Sequence, residues 1–129
     1  MESRMATWLV VPFLIAANAN ASPQAALRFF ALGDWGREGS TEQSAVARTM
    51  GELGAKEKPE FVVALGDSFC ETGVKAATDP RWKTSFEDVY TAPSLQVPWY
   101  AVLGNHDGYG NPDAQIEYAR TSKRWRMPA

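Results

Sequence analysis

Three short apolar runs punctuate the chain: Leu27 to Leu32 (LRFFAL), Phe61 to Leu65 (FVVAL) and Trp99 to Leu103 (WYAVL). Each is rich in aromatic or β-branched residues and reads as a buried strand. Between the first two lies STEQSAVARTMGELGAKEKP, where Ser40 and Gln43 form a capping-box start and Val46, Met50 and Leu53 fall on one helical face. Gly54 and Pro59 supply the stop signals. Strand, helix, strand at this spacing is a βαβ unit, which predicts a parallel pair with a right-handed crossover. Further on, Asp79-Pro80 opens a helix running to about Tyr90, and Ala92, Pro93 and Pro98 punctuate the approach to the third strand. A last helix starts at Asn111-Pro112, with Ile116 and Ala119 on its apolar side. No repeat or low-complexity tract interrupts this order, and one domain accounts for it.

The first residues follow a different pattern. Arg4 precedes an apolar stretch from Ala6 to Ala17, and small residues follow as Ala17-Asn18-Ala19 and Ala19-Asn20-Ala21. That is the order of a signal peptide, assigned to residues 1–21, with the cut after Ala19 or Ala21 and export as its consequence, to a secreted or periplasmic location. The stretch is well short of the roughly 20 residues that span a bilayer, and Pro12 interrupts it, which argues against a stable membrane anchor. Residues 22–129 then form the folded part, 108 residues (129 minus 21), enough for one modest core but not for a large sheet sandwich. Cys70 is the only cysteine, so no intrachain disulfide forms and packing alone must stabilise the fold. With 13 basic against 15 acidic residues, the chain offers no electrostatic reason to bind nucleic acid or an anionic membrane.

Chemistry enters where the strands end. Each apolar run closes on glycine followed by a polar ligand type: Gly33-Asp34 in LGDWG, Gly66-Asp67 in LGDSF, and Gly104-Asn105-His106-Asp107 in LGNHD. The carboxyl ends of strands in an open parallel sheet form the ligand crevice, so three such junctions gather carboxylates, a carboxamide and an imidazole at one rim. Glycine before each polar residue lets the backbone turn sharply. Two carboxylates and an amide oxygen are donors for a hard cation, or for a pair of cations sharing one carboxylate. A lone Gly-Asp is usually a helix cap or turn; a glycine-polar junction after each of three strands favours a ligand rim over that reading.

GDWG, GDSFCETGV and PWYAVLGNHDGYGN resemble the first three motif blocks of the low-molecular-weight, tartrate-resistant type of purple acid phosphatase, within the metallophosphoesterase superfamily. The flanking TSFEDVY, PSLQVPWY and AQIEYARTSKRW agree, so the resemblance covers nearly all of the chain after the leader. It implies an α/β fold, the N-terminal portion of an α/β/β/α sandwich built from βαβ units with its ligands at strand carboxyl ends. It also implies hydrolysis of small phosphate monoesters by a binuclear centre of iron plus a divalent metal (Fe, Zn or Mn). On this resemblance Asp34 binds ferric iron, Asp67 bridges both metals and Asn105 binds the divalent ion. His106 contacts the phosphate and protonates the leaving group, a role suited to imidazole.

Three departures qualify that picture. The tyrosine that closes the family's second motif is replaced by Cys70. Its thiolate is one candidate ligand for iron or zinc; the other reading, favoured because a thiol in an oxidising compartment is at risk of oxidation, is a small buried cysteine with no metal role. Gly108 stands where relatives often carry histidine or tyrosine. The family's later VxxH and GHxH motifs supply further histidine ligands, yet His106 is the one histidine of the sequence. The expectation is a truncated family member, inactive as this chain; the alternatives are a catalytically dead exported protein that binds metal or phosphate, and a fragment with unsatisfied sheet edges and exposed core.

Overall fold

The computed structural model describes residues 26–128, so the leader assigned to 1–21 lies outside the described residues. The elements are β1 (Phe29–Leu32), α1 (Thr41–Glu57), β2 (Phe61–Ala64), β3 (Trp99–Ala101), α2 (Pro112–Ala119) and β4 (Trp125–Arg126). The sheet order is β1-β2-β3-β4, and each neighbouring pair is parallel. The predicted parallel βαβ unit is therefore present, with Phe29 opposite Phe61 and Leu32 opposite Ala64.

Within α1 the start follows expectation only in part. The Ser40 hydroxyl accepts from the Gln43 N–H at 3.3 Å, the usual N-cap bond. Gln43 does not return the bond to Ser40. Its Oε1 accepts from the N–H groups of Arg37 and Gly39, and its Nε2 donates to the Ser85 carbonyl at 2.7 Å. The helix also runs past Gly54 to Glu57, where Lys58, at φ 53°, caps it by donating to the Gly54 carbonyl.

The buried face of α1 is a correction. Val46 and Leu53 are 49% and 45% exposed, while Gln43, Ala47, Gly51 and Gly54 are buried. The reason is close approach to the segment before β3. A Cβ on Gly51 would lie 2.7 Å from Ala92 Cβ, and one on Gly54 would lie 2.8 Å from Ser94 Oγ. Small residues face the contact because nothing larger fits; Val46 and Leu53 are displaced to its flanks, while Met50 packs half-buried against the core as expected. Ser94 Oγ fastens it by donating to the Gly51 carbonyl.

The helix expected from Asp79 to Tyr90 is a π-helical segment, Trp82–Glu87, whose wide turns include Asp88 N–H donating to the Lys83 carbonyl. It places Trp82, Ser85 and Phe86 inward. Together with β2, β3 and β4 it encloses Trp35, whose ring lies 5.4 to 6.2 Å from those of Phe69, Phe86, Tyr90, Trp99 and Trp125. Each such pair contributes about 0.5–1.5 kcal/mol beyond area burial, so this cluster is the centre of stability. The tryptophan of GDWG is thus a core residue.

β4 was not expected from its sequence, KRWR. Trp125 is fully buried, and the buried Arg124 beside it donates to the carbonyls of Tyr90 and Leu95, pairs with Glu87, and stacks 4.3 Å from the Phe86 ring centre. A charged residue enters the core here because Nη1 finds two carbonyls and Nη2 a carboxylate.

One face of the sheet packs under the helices through Val62, Ala64, Trp99, Ala101 and Trp125. The other carries Phe29 stacked on Phe61 at 5.1 Å and Tyr100 edge-on to Phe61 at 5.6 Å, and it is uncovered among the described residues. β1, expected to be buried, alternates between exposed and half-buried positions instead, because it is an edge strand with that open face. The described residues make one helical and one sheet layer of the expected α/β/β/α arrangement.

Candidate metal centre

The turns that leave β1, β2 and β3 lie side by side because the strands are adjacent and parallel. Asp34 and Asp67 both occupy the left-handed backbone region, at φ 55° and 49°. A non-glycine residue rarely sits there, and local strain of this kind collects at functional sites. The turns are packed backbone to backbone: Asp34 N–H donates to the Gly66 carbonyl at 3.3 Å and Cys70 N–H to the Gly36 carbonyl at 3.0 Å. A Cβ on Gly36 would fall 2.0 Å from the Ser68 carbonyl oxygen, and one on Gly104 would fall 2.2 Å from Asp67 Oδ1. Glycine at these two positions is a steric requirement.

Asp67 and the third turn are joined directly. His106 N–H donates to Asp67 Oδ1 at 2.8 Å. The His106 ring is fixed by Nδ1, which lies 2.9 Å from the Glu71 carbonyl oxygen. A carbonyl only accepts, so Nδ1 carries the hydrogen of that bond and Nε2 is left free for other chemistry. Tyr109, 70% exposed, stands edge-on to this ring at 5.5 Å.

Cys70 lies within the same group of turns, its Sγ 3.4 Å from the Asp67 carbonyl oxygen. Burial pushes its thiol up from the usual value; Arg37 opposes this, and the charges of Asp34, Asp67 and Asp107 add to it. In these surroundings the thiol form is favoured over the thiolate that would ligate a cation.

Asp34, Asp67, His106 and Cys70 thus share one rim, with the Asn105 side chain exposed at its edge. They are neighbours but not a finished coordination sphere. Among the described residues no three of His, Cys, Asp and Glu come together closely enough to hold a metal ion. Cys70 nevertheless feels three carboxylates, because charge acts over longer distances than coordination does. As a fit to a binuclear centre, the oxygen donors are of the right hardness and the set is incomplete.

Sequence reasoning missed Gly36 as a contact point, the Glu71 carbonyl as the partner of His106, and Asp107. Asp107 is fully buried and stands inside the LGNHD motif, one residue past the histidine, so its position in the motif was the available signal.

A parallel sheet whose strand ends gather acidic, amide and imidazole groups defines a class, that of α/β folds with a ligand crevice at the carboxyl ends of the strands. The calcineurin-like phosphoesterase model matches residues 27–128. The chain belongs to that family. It is 49% identical over 100 residues to purple acid phosphatase 7 of Arabidopsis thaliana, covering 78% of this chain and 30% of that protein. It is 41% identical to the tartrate-resistant acid phosphatase type 5 of Sus scrofa, covering 97% of this chain and 42% of the relative. Among solved structures it superposes on GAP50, the anchor in the inner membrane complex of Plasmodium, with a TM-score of 0.69, 34% identity, and coverage of 77% of this chain and 32% of that one. The chain thus spans less than half the length of the relatives it matches, and the homologues are hydrolases by name.

Proposed function

We propose that this chain carries the first part of an exported phosphomonoesterase site, with Asp34, Asp67 and Asn105 directed to a binuclear centre of iron and a divalent metal (Fe, Zn or Mn) and His106 to the phosphate ester. The observation that carries this is the bond from His106 N–H to Asp67 Oδ1, because it brings the second and third motifs onto one site. When bound, the pair of cations supplies the charge that holds a phosphate ester and acidifies a water. The chain's own residues supply the anionic donors, and His106, anchored through Nδ1, presents Nε2 toward the leaving-group oxygen. Residues 1–21 act as the export leader. Among the described residues no helix is long and apolar enough to cross a membrane.

A second reading is a non-catalytic protein that binds metal or phosphate, favoured by the single histidine of the sequence. Calorimetric titration with Mn²⁺ or Zn²⁺, alongside hydrolysis of an aryl phosphate, separates the two readings from a third in which no site exists. We expect metal binding that Asp67→Ala abolishes, and no turnover approaching about 1 per second. Turnover at that rate, lost in Asp67→Ala, would overturn the expectation of inactivity; metal binding unaffected by Asp67→Ala would overturn the site.

A further inference from the structure

We propose that Asp107 is the positioning residue of this site: its carboxylate ties the turn after β2 to the turn after β3 and so sets Asp67 against Asn105 and His106. The consequence for metal binding rests on the reading above; the tie itself does not. Asp107 is 0% exposed, and its two oxygens accept from three donors. Oδ1 takes Ser68 N–H at 3.1 Å and Gln115 Nε2 at 2.8 Å, while Oδ2 takes Gly104 N–H at 2.9 Å and Ser68 N–H at 3.2 Å.

The identity of those donors is what gives the carboxylate its role. Ser68 directly follows Asp67, and Gly104 directly precedes Asn105. A single group thus grips both turns beside the proposed ligands. The grip is reciprocal, since the third turn donates back through His106 N–H to Asp67 Oδ1. Asp107 is committed inward and is not itself a ligand, which separates it from Asp34 and Asp67 on the rim.

Two further observations show that a carboxylate, and not simply a residue of this size, is required. Among the described residues no ion pair reaches Asp107, so backbone and amide donors alone compensate its buried charge. Gln115 Oε1 is buried without a partner. The Gln115 amide is therefore turned to donate to Asp107 although its own oxygen is left unpaired, which is the orientation an anion dictates. A neutral side chain with one acceptor cannot serve Ser68, Gly104 and Gln115 together.

The test uses the 129-residue chain and its Asp107→Ala, Asp107→Asn and Gln115→Leu variants. Amide hydrogen exchange at Ser68 and Gly104 is read by NMR against α1 amides as internal reference, and Mn²⁺ affinity is measured on the same samples. In Asp107→Ala, exchange at both amides is expected to rise at least about tenfold, as each loses a charge-assisted bond, while α1 keeps its protection. Mn²⁺ affinity falls in parallel. Gln115→Leu, which leaves both turns tied, keeps slow exchange and most of the affinity. If Asp107→Ala fails to fold, as loss of α1 protection would reveal, Asp107→Asn carries the same comparison, with intermediate protection expected.

Unchanged exchange at Ser68 and Gly104 in a folded Asp107 variant overturns the tie. An equal loss of Mn²⁺ affinity in Gln115→Leu at matched stability overturns positioning in favour of general destabilisation. A wild-type chain that binds no Mn²⁺ sinks the metal reading instead, and the exchange comparison still decides whether the two turns are tied.

Discussion

Replacing Gly104 by alanine tests the packing of the site through one methyl group. The new Cβ would lie 2.2 Å from Asp67 Oδ1, 2.4 Å from Asp67 N and 2.8 Å from Asp67 Cγ. Ordinary contacts of carbon with such atoms are about 3.5–4.0 Å, so more than 1 Å of overlap must be relieved. Rotating the Asp67 side chain cannot relieve it, because Asp67 N is main chain in the turn after β2. The turns must separate, at an overpacking cost of about 1–3 kcal/mol. Separation also stretches the bonds from His106 N–H to Asp67 and from Ser68 N–H to Asp107, charge-assisted bonds worth about 1.5–3 kcal/mol each. A loss of about 3 kcal/mol or more follows, large against the roughly 5–15 kcal/mol that stabilises a domain. Gly108→Ala is the control: it sits four residues along the same loop with no heavy atom within 4 Å of its Cβ. It changes the unfolded chain in the same way, and should be neutral or stabilising by about 0.4–1 kcal/mol. Urea unfolding followed by tryptophan fluorescence measures both. A Gly104→Ala variant within about 0.5 kcal/mol of wild type, or an equal loss in Gly108→Ala, would refute the packing argument.

Burial pushes the Tyr90 hydroxyl up to about 12 from its ordinary 10. The hydroxyl is buried without a hydrogen bond of good geometry, and the nearby Gln43 side chain, which donates to the Ser85 carbonyl, offsets the rise only in part. Tyr90→Phe should therefore cost nothing at neutral pH, or stabilise by up to about 1 kcal/mol, in the same urea assay. Because the unfolded chain releases this proton first, the contribution is complete below pH 10 and is lost as pH climbs from 10 toward 12. Tyr90→Phe should flatten that alkaline decline, leaving the part due to Tyr118, whose hydroxyl is also raised by burial and by Glu87; an unaltered decline would show that Tyr90 does not couple to it. Mass spectrometry of chain recovered from an exporting host should find the amino terminus shortened near Ala19 to Ala21, and an intact terminus in a membrane fraction would reverse the export reading.

Strand positions and their parallel order were legible because apolar runs ending in glycine leave a strong local signal. Phe61–Ala64 and Trp99–Ala101 begin where the sequence placed them, each run ending one or two residues short of its expected strand. What escaped was decided by partners distant in the chain. α1 buries glycine and alanine in place of Val46 and Leu53 because Ala92 and Ser94 press against it, and a helical-face rule has no knowledge of that distance. β4 exists because Arg124 finds Tyr90, Leu95 and Glu87, none of which is near it in sequence. At the site, motif spacing named the rim candidates Asp34 and Asn105, which are exposed, and Asp67 and His106, which are half-buried. Asp107 went unassigned because its role depends on Ser68 and Gln115, contacts that spacing within LGNHD does not encode.

The central claim is that three strand-end turns form one cation-binding rim. Mn²⁺ titration of the labelled chain, read by paramagnetic broadening of backbone amide signals, tests it most directly. The account predicts broadening that starts together at residues 34–37, 67–71 and 104–107, spares the exposed acidic groups Glu52 and Asp113, and disappears in Asp67→Ala. Broadening scattered over surface carboxylates, or centred on the rim but unchanged in Asp67→Ala, would contradict it.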